Sequence, residues 1–100
     1  MAKIIVWSPI ALSQIKSIYE YILDESGSVK IANKVIDKII LSTKIIFQQP
    51  KIYPADKFKY KNKGDYRAYE VYNYRIAYRI LKDEIRILRV RHTSQEPLIY

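Results

Sequence analysis

A chain of 100 residues with a formal net charge of +8, 49% apolar and 28% charged residues, suits one domain with its own core rather than a disordered chain. It contains no cysteine and one histidine, which excludes disulfides, thiolate metal sites, cysteine nucleophiles and multi-histidine metal sites, so we expect no metal or other cofactor. No apolar stretch approaches the ~20 residues needed to cross a bilayer and no signal peptide is apparent, which predicts a cytoplasmic protein that does not enter a membrane.

The first half of the chain predicts a strand followed by a helical hairpin. Residues 3–7 are β-branched and aromatic, as expected for a short strand. A serine–proline pair then begins a helix over residues 9–24, and Gly27 can take the left-handed conformation that ends it. Ser28 is a candidate N-cap for a second helix over residues 29–47, whose wide apolar stripe must be held by packing.

Residues 50–63 form the least regular stretch, and Pro54 limits its regular structure. Lysines occupy alternate positions from 57 to 63, which in an extended segment places them on one side, with Phe58 and Tyr60 on the other. Two interpretations stay open for this segment. It is either a solvated edge strand protected from aggregation by lysine or a segment that contacts phosphate.

Positive charge and strand patterns coincide in the last third of the chain. Residues 1–50 carry six lysines against four acids, whereas residues 51–100 carry twelve basic residues against six acids. All six arginines lie in residues 66–92, which predict three antiparallel strands with turns at Tyr72-Asn73 and at 82–84. Alternation along residues 74–81 assigns the aromatic and aliphatic side chains to the core face and Arg75 and Arg79 to the open face. Arginine in this density predicts an anionic partner, and a merely soluble basic surface is the alternative.

The last hairpin has two possible registers, and a one-residue slip exchanges the faces of the strand. A two-residue turn buries Ile85 and Ile87 but draws the last two arginines towards the core. A three-residue turn instead buries Leu88 and Val90 and leaves Arg86 near the rim. Because burying unpaired arginine costs several kcal/mol, we expect the three-residue turn. It leaves four arginines on the open face: Arg75, Arg79, Arg89 and Arg91.

The chain carries three motifs in order: an opening strand into Trp7-Ser8-Pro9, then Asn73-Tyr74-Arg75-Ile76-Ala77-Tyr78, and finally Ile87-Leu88-Arg89-Val90-Arg91-His92. Together they resemble the RelE/ParE superfamily of bacterial type II toxin–antitoxin toxins. The resemblance covers essentially the whole chain and implies a single RelE/ParE-like domain over residues 1–100. The implied α+β fold has an N-terminal strand, an antiparallel α-helical hairpin, and a three-stranded antiparallel sheet packed on the helices.

The resemblance implies a toxin of the plasmid-stabilisation type that inhibits growth by one of two mechanisms. RelE-like toxins cleave mRNA on the ribosome without metal, using basic side chains to hold phosphate and a tyrosine, histidine or glutamate to move protons. ParE-like toxins bind DNA gyrase and need no catalytic residues. A histidine and a C-terminal tyrosine beside the arginine face favour the nuclease slightly. The alternatives are a ParE-like inhibitor of gyrase and a degenerate member that only binds antitoxin.

For the nuclease, the resemblance assigns catalytic roles to Arg67, Arg75, His92 and Tyr100. Six further basic residues are expected to contact nucleic acid: Lys57, Lys59, Lys61, Arg79, Arg89 and Arg91. Glu70 is a candidate cross-strand ion-pair partner of Arg75. The implied partners are the ribosome with its mRNA, or gyrase in the alternative, and a cognate antitoxin. An acidic, amphipathic antitoxin tail would suit the arginine face or the groove beside the helix hairpin.

Overall fold

The computed structural model describes residues 3–100, and its elements follow the predicted order. In chain order they are β1 (Ile4–Trp7), α1 (Pro9–Ser26), α2 (Val29–Gln48), β2 (Tyr66–Val71), β3 (Tyr74–Ile80), β4 (Glu84–His92) and a 3-10 turn (Thr93–Gln95). The α+β class is therefore confirmed. Helix α1 runs two residues past its predicted end, and α2 one residue past.

Local capping explains where the helices begin and end. The Ser8 side chain accepts a hydrogen bond from the backbone N–H of Ala11, and Ser28 caps α2 in the same way. Gly27 has φ +65° and donates its backbone N–H to the carbonyl oxygen of Leu23 at 2.8 Å. That left-handed conformation is costly for a residue with a Cβ, so the short hairpin link depends on glycine here.

The four strands form one sheet in the order β1-β4-β3-β2. The predicted three-stranded antiparallel arrangement of β2, β3 and β4 is present, and β1 joins it at the edge, parallel to β4. Ser8 fixes this junction because its hydroxyl donates to the carbonyl oxygen of Leu88 at 2.8 Å and its N–H donates to that of Ile87 at 2.9 Å. One residue thus caps α1 and holds it against β4.

The predicted three-residue turn before β4 is wrong. Leu81 donates its N–H to the carbonyl oxygen of Glu84 at 2.9 Å, which leaves a two-residue turn, and Ile85 and Ile87 are fully buried. The register then shifts between Ala77 and Tyr78 of β3, where β4 carries one extra residue.

This β-bulge reconciles the two registers that the sequence allowed. Leu88 is the extra residue, and it is half-buried rather than in the core. Beyond it the faces are exchanged, so Val90 is buried and Arg89 and Arg91 return to the open face. The cost of burying arginine predicted the final position of these side chains correctly but not the bulge that achieves it.

The helices cover one face of the sheet, and the core lies between them. The fully buried large side chains are Tyr78, Ile39, Ile46, Ile76, Ile85, Ile87 and Val90. The Tyr78 hydroxyl donates to the carbonyl oxygen of Pro50 at 2.7 Å, and the Tyr69 hydroxyl is 2.7 Å from the Ser42 hydroxyl. Burial raises the pKa of both phenols to about 12. Within residues 3–100, neither helix is long and apolar enough to cross a membrane.

Candidate functional site

The face of the sheet away from the helices brings together two of the four predicted catalytic residues, Arg75 and Tyr100. Both contact the carboxylate of Asp56, which lies in the loop between α2 and β2. Arg75 approaches one carboxylate oxygen at 2.8 Å, and the Tyr100 hydroxyl donates to the other at 2.6 Å. The backbone N–H of Phe58 donates to the same carboxylate at 3.0 Å. Asp56 is thus the centre of the open face.

Asp56 is 3% exposed, and its three donors offset the cost of burying its charge. Burial by itself would raise the pKa of the Asp56 carboxyl, but the hydrogen bonds from Tyr100, Phe58 and Arg75 outweigh burial and lower the pKa below its ordinary value of 3.8. The side chain of Arg75 is 13% exposed and that of Asp56 1%. The two form a buried ion pair, and the positive charge of Arg75 is already neutralised.

Tyr100 lies over the open face because side chain and backbone both hold it there. Its N–H donates to the carbonyl oxygen of Phe58 at 3.0 Å, and its own carbonyl accepts from the N–H of Tyr60. The guanidinium of Arg89 lies 4.1 Å from the centre of its ring. Burial, together with the hydrogen bond to Asp56, raises the pKa of Tyr100 well above 10. At neutral pH Tyr100 is a hydrogen-bond donor, not a base.

Little space remains between these groups. The cavity at this position has a volume of about 10 Å³, and it is lined by Asp56, Phe58, Arg75, Ala77, Arg89, Glu96, Leu98 and Tyr100. The C-terminal residues and the Asp56 loop therefore fill the place where a nucleotide would meet Arg75.

The other two predicted catalytic residues lie on the opposite face. Directly opposed residues of paired strands project to the same side of a sheet, and Arg67 is opposite the buried Tyr78. The Arg67 guanidinium donates to the carbonyl oxygens of Tyr53 at 2.7 Å and Gly64 at 2.9 Å. Arg67 therefore joins two parts of the loop between α2 and β2, and the structure does not bring it to Arg75.

His92 is opposite Tyr74, and the two rings meet edge to face with their centres 5.3 Å apart. Its Nδ1 accepts a hydrogen bond from the N–H of Ser94 at 3.1 Å, which caps the 3-10 turn. With Gln14 and Tyr21 of α1, among others, it lines a separate cavity of about 460 Å³. The single histidine therefore does not share a site with Arg75 and Tyr100.

The other arginines of the sheet are mostly paired within the chain. Three ion pairs join Arg79 to Asp65 at 2.9 Å, Arg86 to Glu84 at 2.9 Å and Arg91 to Glu96 at 3.3 Å. The last is an ion pair by distance only, because the Arg91 Nε–H has no aligned hydrogen-bond acceptor. Counting Arg75, four of the six arginines are neutralised by carboxylates. Most of the arginines expected to face an anionic partner are therefore paired with carboxylates of this chain.

The predicted ion pair between Glu70 and Arg75 is wrong. The two residues are opposite each other across β2 and β3, but Arg75 turns to Asp56 instead. Arg75 pairs with Asp56 rather than with Glu70 because Asp56 is buried, where an ion pair is stronger, whereas Glu70 is exposed to water. Asp56 is the central residue that sequence reasoning missed, and its position directly before the lysine-rich segment was the only signal.

The lysine-rich segment is a series of turns, so its predicted extended form is wrong. Lys61 has φ +52°, and the Asn62 side chain holds the turns by donating to the carbonyl oxygen of Tyr66 at 2.7 Å. The predicted separation of lysines from aromatics fails too, because Tyr60 is 68% exposed. Lys59 lies over the Tyr66 ring at 4.7 Å, and Lys57 and Lys61 are exposed.

A search of curated protein sequences finds no match to this chain. The fold is found in solved structures, of which two are examples. "Chromosomal ParDE TA system from P. aeruginosa" superimposes with a TM-score of 0.74 at 19% identity, covering 91% of this chain and 96% of that chain. "The structure of YoeB dimer from Staphylococcus aureus" gives 0.58 at 20% identity, covering 92% and 98%. At these identities the similarity concerns the fold alone.

The sequence itself matches a family model. The model "ParE toxin of type II toxin-antitoxin system, parDE" covers residues 5–97, which include both helices, the Asp56 loop and all four strands except the first residue of β1. The expected superfamily is thereby confirmed. The chain belongs to the ParE toxin family and is a type II toxin of the RelE/ParE superfamily.

Proposed function

We propose that this toxin stops growth as a non-catalytic inhibitor that binds DNA gyrase, and not by cleaving mRNA on the ribosome. The observation that carries the proposal is the state of Arg75. An arginine that stabilises a phosphate in a transition state must have its charge available, and Arg75 is committed to Asp56 at 2.8 Å in a buried pair. The sequence alone favoured the nuclease, and the geometry of the open face reverses that preference.

Proton transfer gives a second reason against cleavage. The 2′-hydroxyl of RNA needs a base within hydrogen-bond reach and with a suitable pKa. Tyr100 has a pKa raised well above 10 and donates to Asp56, while His92 is on the other face of the sheet. A carboxylate at Asp56 would also repel the scissile phosphate. These features suit a binding protein better than a nuclease.

We also propose that the toxin is neutralised by a cognate antitoxin with an acidic, amphipathic segment. A groove of about 900 Å³ beside α2 is lined by Lys30, Lys34 and Lys38, spaced four residues apart, and by Asp37, Leu41 and Tyr72, among others. Carboxylates at helical spacing would match these lysines, and aliphatic side chains would cover Leu41 and Tyr72. Toxin, antitoxin and either target would meet in the cytoplasm.

The deciding experiment is tightly controlled expression of the wild-type toxin and the His92→Ala variant, with two readouts. We expect both proteins to arrest growth, to inhibit supercoiling by purified gyrase, and to leave ribosome-bound mRNA uncut in primer-extension assays. His92 is partly exposed and lies outside the core, so the variant should fold. Codon-positioned cleavage of mRNA that disappears in His92→Ala would refute the proposal and restore the nuclease.

A further inference from the structure

The C-terminal residues and the Asp56 loop carry an unusual surface. Tyr60 and Ile99 are the two most exposed large apolar side chains within residues 3–100, at 68% and 71%. Their backbone segments lie side by side, because the N–H of Tyr60 donates to the carbonyl oxygen of Tyr100, the residue after Ile99. Isolated exposed apolar residues are ordinary, but an adjacent aromatic and aliphatic pair is the composition of an interface centre.

Positive charge lies beside this pair, because the ammonium group of Lys61 is 5.4 Å from the centre of the Tyr60 ring. Lys57 and Lys61 are exposed, and neither has a carboxylate within 4.0 Å among the residues described. The arginines of the sheet are mostly paired, so these lysines supply unneutralised charge on this side of the molecule. We call Lys57, Tyr60, Lys61 and Ile99 the tail patch. An apolar centre with a charged rim is the usual anatomy of a protein–protein contact.

A nucleic acid fits the tail patch less well than a protein does. Single strands bind by stacking bases on free aromatic faces between basic side chains. The aromatic rings beside the patch already carry cations of this chain. Arg75 lies 4.7 Å from the centre of the Phe58 ring, and Arg89 4.1 Å from that of Tyr100. Ile99 offers a base no stacking surface, whereas it fills an apolar pocket on a protein well.

The tail patch is also held in a fixed position. Tyr100, the residue after Ile99, is anchored by its hydroxyl to Asp56 and by its backbone to Phe58 and Tyr60. A surface that is ordered before binding loses less conformational entropy when a partner docks. In a toxin without catalysis, the hydrogen bonds of Tyr100 to Asp56, Phe58 and Tyr60 therefore serve to hold the tail patch in place.

We infer that the tail patch is the surface that docks on the toxin's protein target, at an apolar pocket bordered by carboxylates. This inference rests on the proposed function, in which the target is DNA gyrase. Tyr60 and Ile99 enter the pocket, and Lys57 and Lys61 face its acidic rim. Charge at the rim mainly accelerates association and makes it depend on salt, whereas the apolar pair determines how long the complex lasts.

The test compares four purified full-length proteins in a gyrase supercoiling assay and in direct binding to gyrase holoenzyme. They are the wild type, Tyr60→Ser/Ile99→Ser, Lys57→Glu/Lys61→Glu, and the control Ile10→Ser/Lys16→Glu, which changes an equally exposed apolar residue and a lysine on α1. We expect the two patch variants to bind gyrase at least about tenfold more weakly and the control to bind like the wild type. Melting temperatures within about 4 °C of the wild type would show that all four are folded.

The outcomes separate this inference from the proposed function. If the wild type inhibits gyrase and both patch variants inhibit it equally well, the tail patch is not the docking surface, while the proposed function stands. If the wild type does not bind gyrase at all, the proposed function itself has failed. Binding to poly(U) provides the last check. Wild-type binding to poly(U) as tight as to gyrase, and lost in the same variants, would replace the protein target with a nucleic acid.

Discussion

Replacement of Asp56 by asparagine tests the central anchor of the open face. The amide keeps the shape of the carboxylate but removes its charge, so the guanidinium of Arg75, whose side chain is 13% exposed, loses its counter-ion. Removing one partner of a buried pair costs about 3–5 kcal/mol. The amide oxygen still accepts one hydrogen bond, so we expect a loss of about 3 kcal/mol in the free energy of unfolding. For a domain of this size that lowers the melting temperature by roughly 12–24 °C.

The pH dependence of this loss gives the charge a separate signature. The folded-state pKa of Asp56 lies below 3.8, so its contribution to stability is fully present above the unfolded-state pKa and is lost as the pH falls through the folded value. The stability difference between wild type and Asp56→Asn should therefore be constant from pH 5 to 8, on the order of the 3 kcal/mol above. Below about pH 4 the difference should shrink, because the carboxyl of the unfolded wild type then takes up a proton, and it should disappear as the pH falls through the lower folded-state pKa.

Urea unfolding followed by circular dichroism at pH 7 and pH 3 measures both quantities. The matched control is Asp65→Asn, which removes the carboxylate from the Arg79–Asp65 pair, where the side chains are 40% and 32% exposed. Exposed pairs contribute at most about 1 kcal/mol, so the control should cost far less. A loss at Asp56 no larger than at Asp65, or equal at both pH values, would refute the assignment of Asp56 as a charged anchor.

Two further predictions concern stability. Ser8→Ala should lower the free energy of unfolding, measured in urea, by about 2 kcal/mol, and Ser28→Ala should lower it by about 1 kcal/mol. Both variants lose a capping hydrogen bond, but only Ser8 also donates to the carbonyl oxygen of Leu88, at 2.8 Å. Equal losses would contradict the role of Ser8 in joining α1 to β4. The melting temperature should fall as the pH rises from about 10 towards about 12. The reason is that burial raises the folded-state pKa of Tyr69 and Tyr78 to about 12, whereas these phenols ionise near 10 in the unfolded chain. A melting temperature that stays constant across that range would contradict their burial.

Local physical chemistry predicted the elements of this protein. Three features depend only on neighbours a few residues away, and the sequence predicts each of them correctly. They are the helix caps at Ser8 and Ser28, the end of α1 at Gly27 and the alternation along β3. The register of β4 could not be read because it depends on where the bulge forms. The bulge at Leu88 satisfies two requirements at once, because it allows Ile85 to be buried and places Arg89 on the open face.

The amino-acid sequence by itself determined the secondary structure, the family and the collection of arginines on one sheet. Only the tertiary structure decided how that charge is used. His92 falls on the helix side because the bulge and the pairing of β4 with β3 set its face. The charge of Arg75 is neutralised by Asp56, which lies nineteen residues earlier in the chain. The loop that carries Asp56 also brings its carboxylate to the hydroxyl of Tyr100. Contacts between residues so distant in sequence follow from packing of the whole chain, which no local pattern encodes.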